Sequence, residues 1–314
     1  MKKYIFILIF FSNFLFSQEE NNKIIYFDSI WNETNFENHK YYRKVIDYNL
    51  FKEEYIFEDY YKSGKIKMRG NSISKESLYK NGEFTYFYEN GNIKETAFYM
   101  NGVGFGQNTQ WYENGQKKLE GEYIYDEVEN IPLLKINSFW DKQNIQKVVD
   151  GNGEVEDINE SFSEKGILKN GLKDGVWTGK DNRYKLSYTE KYKDGKFISG
   201  TSIDSQNNQY NYNKLFLNPQ PIDGLEKFYQ NIGKNFKIPK SAERISGKII
   251  LKFTINTEGM IEDISVTKKL TPDLDNEAIR VLKKCTPWNA AEFKGMKVKT
   301  LYNLPITIQT PDTE

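Results

Sequence analysis

Apolar and polar residues follow three successive patterns along the chain. Met1-Lys2-Lys3 precedes an almost wholly apolar run, Tyr4 to Phe16. From about residue 55 to 200, short aromatic and aliphatic stretches alternate with Lys and Glu and are broken by glycine-containing turns, the period of strands. Beyond Asn218-Pro219-Gln220-Pro221, helical and strand periods take turns. Leu225, Phe228, Tyr229 and Ile232 fall on one face of a predicted helix. Ile249, Leu251, Phe253 and Ile255 alternate with Lys248, Lys252, Thr254 and Asn256 as a half-buried strand. Asn256-Thr257-Glu258-Gly259 turns it back through Ile264 and Val266. Leu274, Ala278, Leu282 and Cys285 line a second helix, capped by Asp273 or Asp275 and stopped by Pro287. A last strand, Lys297 to Ile308, puts Val298, Thr300, Tyr302, Leu304, Ile306 and Ile308 on one face. Pro305 inside it removes a ladder donor, so this strand is expected at a sheet edge or at a bulge.

The middle region repeats itself. Tyr61-Lys62-Ser63-Gly64-Lys65-Ile66-Lys67, Tyr88-Glu89-Asn90-Gly91-Asn92-Ile93-Lys94 and Tyr112-Glu113-Asn114-Gly115-Gln116-Lys117-Lys118 are one pattern. A second, Tyr99-Met100-Asn101-Gly102, returns around Asn81-Gly82, Asn170-Gly171 and Asp194-Gly195. Asn-Gly and Asp-Gly supply the positive-φ residues of a two-residue type I′ turn, so the pattern predicts hairpins. One hairpin cannot bury its apolar face alone, which calls for a stack. These residues resemble the MORN-like repeats of exported bacterial proteins, whose pattern runs roughly Tyr-x-Asn-Gly-x-x-x-x-x-Gly. The resemblance spans about residues 55–200, with a degenerate stretch from Trp140 to Gly153. It implies a β-meander scaffold without catalytic residues, its aromatic face read as core.

Composition narrows the function classes. Lys+Arg and Asp+Glu both number 44, and zero net charge argues against nucleic acid or an anionic membrane as partner. One Cys (Cys285) and one His (His39) exclude an intrachain disulfide and a zinc site of clustered Cys and His. No metal, cofactor or enzymatic activity is expected. Carboxylate pairs such as Glu53-Glu54 and Glu58-Asp59 read as hairpin surface charge, since a glycosidase pair needs two carboxylates ~5–10 Å apart across a cleft. The apolar run from Tyr4 makes about 20 Å of helix, short of the ~30 Å hydrocarbon core. It therefore reads as a signal peptide, residues 1–17, of an exported periplasmic protein, with an uncleaved inner-membrane anchor as the alternative. The expected organisation is then 18–217 for the repeats and 218–314 for a C-terminal domain: mainly β, with an α+β C-terminal part.

The order helix–β–β–helix–β, with its punctuating residues, resembles the TonB C-terminal domain. The resemblance rests on Gly247, Phe253, Ile255 and Gly259 in the hairpin, and on Leu274 and Ala278 in the helix. Pro287, Trp288, Ala291, Gly295, Val298, Leu304 and Pro305 follow, while Ala290 stands where the family usually has Pro. The family grips an extended segment of an outer-membrane receptor by adding it to a sheet edge. The resemblance thus implies an envelope partner, such as a TonB-dependent receptor, on the last strand: Lys297, Val298, Lys299, Thr300, Leu301, Tyr302, Asn303, Leu304 and Ile306. Trp288 and Cys285 are read as core. The apolar run Tyr4 to Phe16 contains no His and the linker holds two prolines, so the proton-motive-force harvesting of energy-transducing members is not expected. A structural or assembly scaffold of the envelope without a transport role is the alternative.

Overall fold

The computed structural model describes residues 21–126, 131–159, 161–242, 245–285 and 287–309; the expected signal peptide lies outside them. The fold is mainly β, a hairpin meander followed by an α+β domain. The chain forms two compact units. One runs up to Asn159 and includes Ser163–Trp177 and Tyr192–Lys196; the other comprises Glu160–Phe162, Thr178–Lys191 and Phe197–Glu314.

Strands of the first unit are β1 (Lys23–Phe27), β2 (Glu33–Thr34), β3 (Tyr41–Val45), β4 (Tyr55–Tyr61), β5 (Ile66–Ser72), β6 (Lys80–Phe87) and β7 (Ile93–Met100). They continue as β8 (Val103–Trp111), β9 (Lys117–Asp126), β10 (Ile131–Trp140), β11 (Gln146–Val149), β12 (Asn152–Ile158) and, apart from its first residue, β13 (Phe162–Lys169). From β3 onward each pairs antiparallel with the next, and β1 lies between β2 and β3.

The repeats use two turns where the sequence suggested one. Asn101-Gly102 (φ +52° and +81°) and Asn170-Gly171 (φ +52° and +84°) have both central residues left-handed, as type I′ requires. At Tyr88 to Asn92 only Gly91 has positive φ. The Gly91 N–H donates to Tyr88 O at 2.9 Å and the Tyr88 N–H to Asn92 O at 2.9 Å. That is a type I turn closed by a glycine bulge, and it recurs at Tyr61 and Tyr112. The ladder accordingly slips by one residue at Tyr86/Phe87. The stretch that reads as degenerate keeps this turn with other residues: Asn144 (φ +61°) replaces glycine, and the Asp141 carboxylate accepts from the N–H groups of Gln143 and Ile145.

The tyrosines that open these turns tie one repeat to the next. Tyr61, Tyr88 and Tyr112 donate their hydroxyls to the carbonyls of Phe87, Trp111 and Trp140 at 2.8, 2.9 and 2.8 Å. Lys67, Lys94 and Lys118 lie over the same three rings, so each repeat carries a tyrosine–lysine stack. Aromatic rings elsewhere lie directly on glycine. A Cβ at Gly166 would come within 2.2 Å of the Trp177 indole, which is buried.

Strands β14 (Leu172–Asp181), β15 (Leu186–Lys193) and β16 (Lys196–Ile203) give residues to both units, and β17 (Gln209–Tyr212) to the second. Then come β18 (Phe216–Leu217), β19 (Gln220–Pro221), α1 (Leu225–Asn235), β20 (Gly247–Ile255), β21 (Ile261–Lys268) and α2 (Pro272–Leu282). The chain closes with β22 (Trp288–Asn289), β23 (Ala291–Phe293), β24 (Met296–Val298) and β25 (Thr300–Ile308). Phe228 and Ile232 of α1 and Leu274, Ala278 and Leu282 of α2 bury against Ile249, Leu251, Phe253, Ile255 and Leu304 of the sheet. The cap of α2 is Thr271, not Asp273 or Asp275: its Oγ1 accepts from Leu274 N at 3.3 Å, with Pro272 opening the helix. Asp275 reaches back instead to the Leu270 N–H at 3.0 Å.

Two substitutions test this account of the repeats by urea unfolding. Tyr88→Phe loses one neutral hydrogen bond and is expected to cost about 1 kcal/mol. Gly166→Ala drives a methyl into a packed indole and is expected to cost more, about 1–3 kcal/mol.

Candidate functional site: an open sheet edge

Three strands of the C-terminal domain form a sheet in the order β21-β20-β25, which leaves β21 and β25 as its two edges. Those edges differ. β21 pairs with β20 through two register shifts, and Asp263 within it has φ +53°. Bulges of this kind twist an edge and break its row of backbone groups. β25 pairs with β20 without a shift over nine residues, from Gly247↔Ile308 to Ile255↔Thr300.

Parity then decides where each backbone group of β25 points. In an antiparallel ladder, opposed residues alternate between pairs that exchange hydrogen bonds and pairs whose N–H and C=O point away. Pro305 has no N–H, yet the register passes it unbroken opposite Ile250, which places it at an outward position. The far side of β20 agrees. The hydroxyls of Thr267 and Ser265 in β21 donate to the carbonyls of Ile250 and Lys252, at 3.2 and 3.3 Å, so those carbonyls face β21. Their partners across the ladder, Pro305 and Asn303, therefore face the open edge, as do Leu301 and Thr307. The edge offers three N–H donors, at Leu301, Asn303 and Thr307, and four carbonyl acceptors.

The nine residues singled out in the last strand fall into separate places. Lys297 and Val298 belong to β24, opposite Glu292 and Ala291 in a different sheet, and Val298 is buried. Lys299 lies between the two strands and meets Asp263 at 3.0 Å and Glu262 at 3.7 Å. Thr300, Tyr302, Leu304 and Ile306 direct their backbones to β20. Leu301 and Asn303 alone of the nine present theirs to the open side, and their side chains are exposed. Pro305 and Thr307 join them there. The alternation that marks the buried face also marks these two, once β25 is known to be the edge.

The face of β25 toward the helices is held by an aromatic cluster. Trp288 is 2% exposed, with ring centroids 4.8 Å from Tyr302, 5.1 Å from Phe228 and 6.0 Å from Phe253. Its indole N–H is buried and finds no hydrogen-bond partner among the described residues. The backbone N–H of Trp288 donates to Gly259 O at 2.8 Å. Gly259, at φ +82°, would bring a Cβ within 1.8 Å of the Trp288 carbonyl, so the hairpin turn admits no other residue. Cys285 is half-buried, its Sγ on the Val281 carbonyl at 3.5 Å, and burial pushes its thiol pKa up, away from the reactive thiolate.

Hydrogen bonding to Lys299 holds the Asp263 carboxyl below its ordinary value of 3.8. A depressed carboxyl stabilises the folded state above its unfolded pKa and loses that contribution as pH falls through the lower, folded value. The junction before β25 thus stays paired throughout the neutral range.

Residues 239–307 match the family described as Gram-negative bacterial TonB protein C-terminal. The match takes in β20, β21, α2 and all of β25 except its final residue, and leaves α1 and the repeats outside. No curated protein matches the chain significantly. Among the described residues, no helix is long and apolar enough to cross a membrane.

The parity argument separates two neighbouring proline variants of this TonB-like domain. Asn303→Pro removes an outward N–H and is expected to leave the far-ultraviolet circular dichroism and Tm close to wild type. Tyr302→Pro removes a donor to β20 and empties a place in the Trp288 cluster. It is expected to lower the Tm strongly, since a ladder bond is deleted and a half-buried ring is taken from beside Trp288.

Proposed function

We propose that this protein is a non-enzymatic periplasmic binding protein that captures an extended segment of an envelope partner along β25. The observation that carries this reading is the unshifted nine-residue edge with the backbone of Leu301, Asn303, Pro305 and Thr307 open to solvent, opposite an edge interrupted by bulges. An added strand satisfies those groups, and the affinity comes mainly from main-chain hydrogen bonds. The match to the TonB C-terminal family supports the same mode, with an outer-membrane receptor of TonB-dependent transport as the partner class. Pro305 sets a limit on register: the incoming strand finds an acceptor but no donor there.

The N-terminal segment acts in this reading as a cleaved signal, and the mature chain begins near Gln18.

Photo-crosslinking in intact envelopes tests the proposal. A crosslinker at Asn303 is expected to trap a partner through one extended segment, while one at Glu262 on the bulged edge traps none. Asn303→Pro, tested with the crosslinker at Leu301, is expected to cut capture at least tenfold, because a net hydrogen bond of ~0.5–1.5 kcal/mol is lost and the ring also obstructs the incoming strand. Equal crosslinking from both edges, or undiminished capture by a folded proline variant, would refute it and favour the scaffold reading.

A further inference from the structure

The hairpin that leads into β25 is anchored by a buried charge. β23 and β24 are joined at Phe293↔Met296 by Lys294-Gly295, with φ +50° and +80°, a type I′ turn. Other turns of this type among the described residues begin with Asn101, Asp150, Asn170 or Asp194, the residue types that tolerate left-handed backbone. A lysine is a poor choice by that criterion. Its side chain shows why it is present. Lys294 is only 8% exposed, and its ammonium pairs with Glu190 of β15, which is 1% exposed. The ammonium also lies 3.7 Å from the centroid of the Tyr188 ring, and the Tyr212 hydroxyl donates to the same Glu190 oxygen at 2.7 Å.

The backbone of the turn is held as closely. The Ser202 hydroxyl donates to Lys294 O at 2.7 Å and the Lys294 N–H to Leu215 O at 2.9 Å. Phe293 packs on Tyr184 with ring centroids 4.8 Å apart, and a Cβ on Gly295 would meet Tyr210 at 3.0 Å. All of these residues belong to the second compact unit. One residue, Lys299, separates the end of this hairpin from the start of β25, and its own ion pairs are exposed, where such pairs contribute little.

We propose that Lys294, clamped by Glu190, is a positioning residue for the β25 edge: it pins the hairpin from which β25 starts, and so keeps Thr300 to Tyr302 in the ladder with β20. The proposal rests on reading β25 as the binding edge. A terminal turn of strand opens easily unless something outside the ladder holds it. With the clamp, the outward groups of Leu301 and Asn303 stay in line with Thr307 and the edge keeps its full length. Without it, the edge shortens from the Leu301 end.

The test uses the full chain without partner, residue-resolved hydrogen exchange, and Lys294→Asn. Turn preference alone makes this variant better, because asparagine is the favoured residue at this turn position. The clamp gives the opposite expectation: exchange at Thr300 and Tyr302 rises at least tenfold, while Leu304 to Ile308 and the repeat strands β4 to β9 change little. Ser202→Ala, which removes only the bond to the Lys294 carbonyl, is expected to raise the same two amides by a smaller factor. Unchanged exchange at Thr300 and Tyr302 in both variants overturns the proposal, as does a rise spread evenly over the domain. The measurement needs no ligand. A pinned edge that then fails to crosslink a partner would sink the binding function and leave the clamp standing.

Discussion

An unpaired strand edge has to point its N–H and C=O groups somewhere, and in the C-terminal domain the ladder between β20 and β25 decides where. Nine residue pairs in strict register leave no freedom: once one residue of β25 is assigned to the open side, every second residue follows. Pro305 makes that assignment, because a residue without an N–H is accommodated where no ladder bond is asked of it. The carbonyls of Ile250 and Lys252, taken up by hydroxyls of β21, make the same assignment from the other side of the sheet. The aromatic packing follows from it, since the residues bonded to β20 are also those that turn Tyr302 and Leu304 into the core beneath the helices.

The two edges of this sheet are built differently. β21 carries two slips of register and a left-handed aspartate, features that spoil a template for further pairing. β25 has only its proline as a guard. A fully blunted pair of edges would bind nothing, and two regular edges would invite uncontrolled association. The asymmetry leaves one regular edge in this sheet, the one proposed to take up a partner strand.

Each unit holds a buried carboxylate paired with a cation. Asp59 in the first unit is 4% exposed and receives two bonds from Arg43, at 2.6 and 2.9 Å, while the guanidinium also lies against Phe27, Trp31 and Phe57. Lys294 and Glu190 form the corresponding pair in the second unit. Desolvation offsets much of what such a pair contributes to stability, while removing one partner leaves an uncompensated buried ion. The carboxylates that look available for chemistry in the sequence therefore include one, Asp59, already committed to holding strands together.

Local pattern alone determined the repeat hairpins, β20 and β21, the two helices and the hairpin at Asn256 to Gly259, because side-chain period and left-handed turn residues are properties of a few consecutive positions. It also showed that the last strand has one buried face and an awkward proline. It did not separate Lys297 and Val298 from that strand, since alternation continues smoothly across Lys299 while the pairing partner changes from β23 to β20. It gave Asn-Gly one turn type, although neighbouring strands select either type I′ or a bulged type I turn for the same dipeptide. Nor did it mark Lys294, whose burial depends on Glu190, far away along the chain. Period and turn chemistry are written locally. Register, edge and the partner of a buried charge exist only when distant strands have met, and these decide which backbone groups face outward.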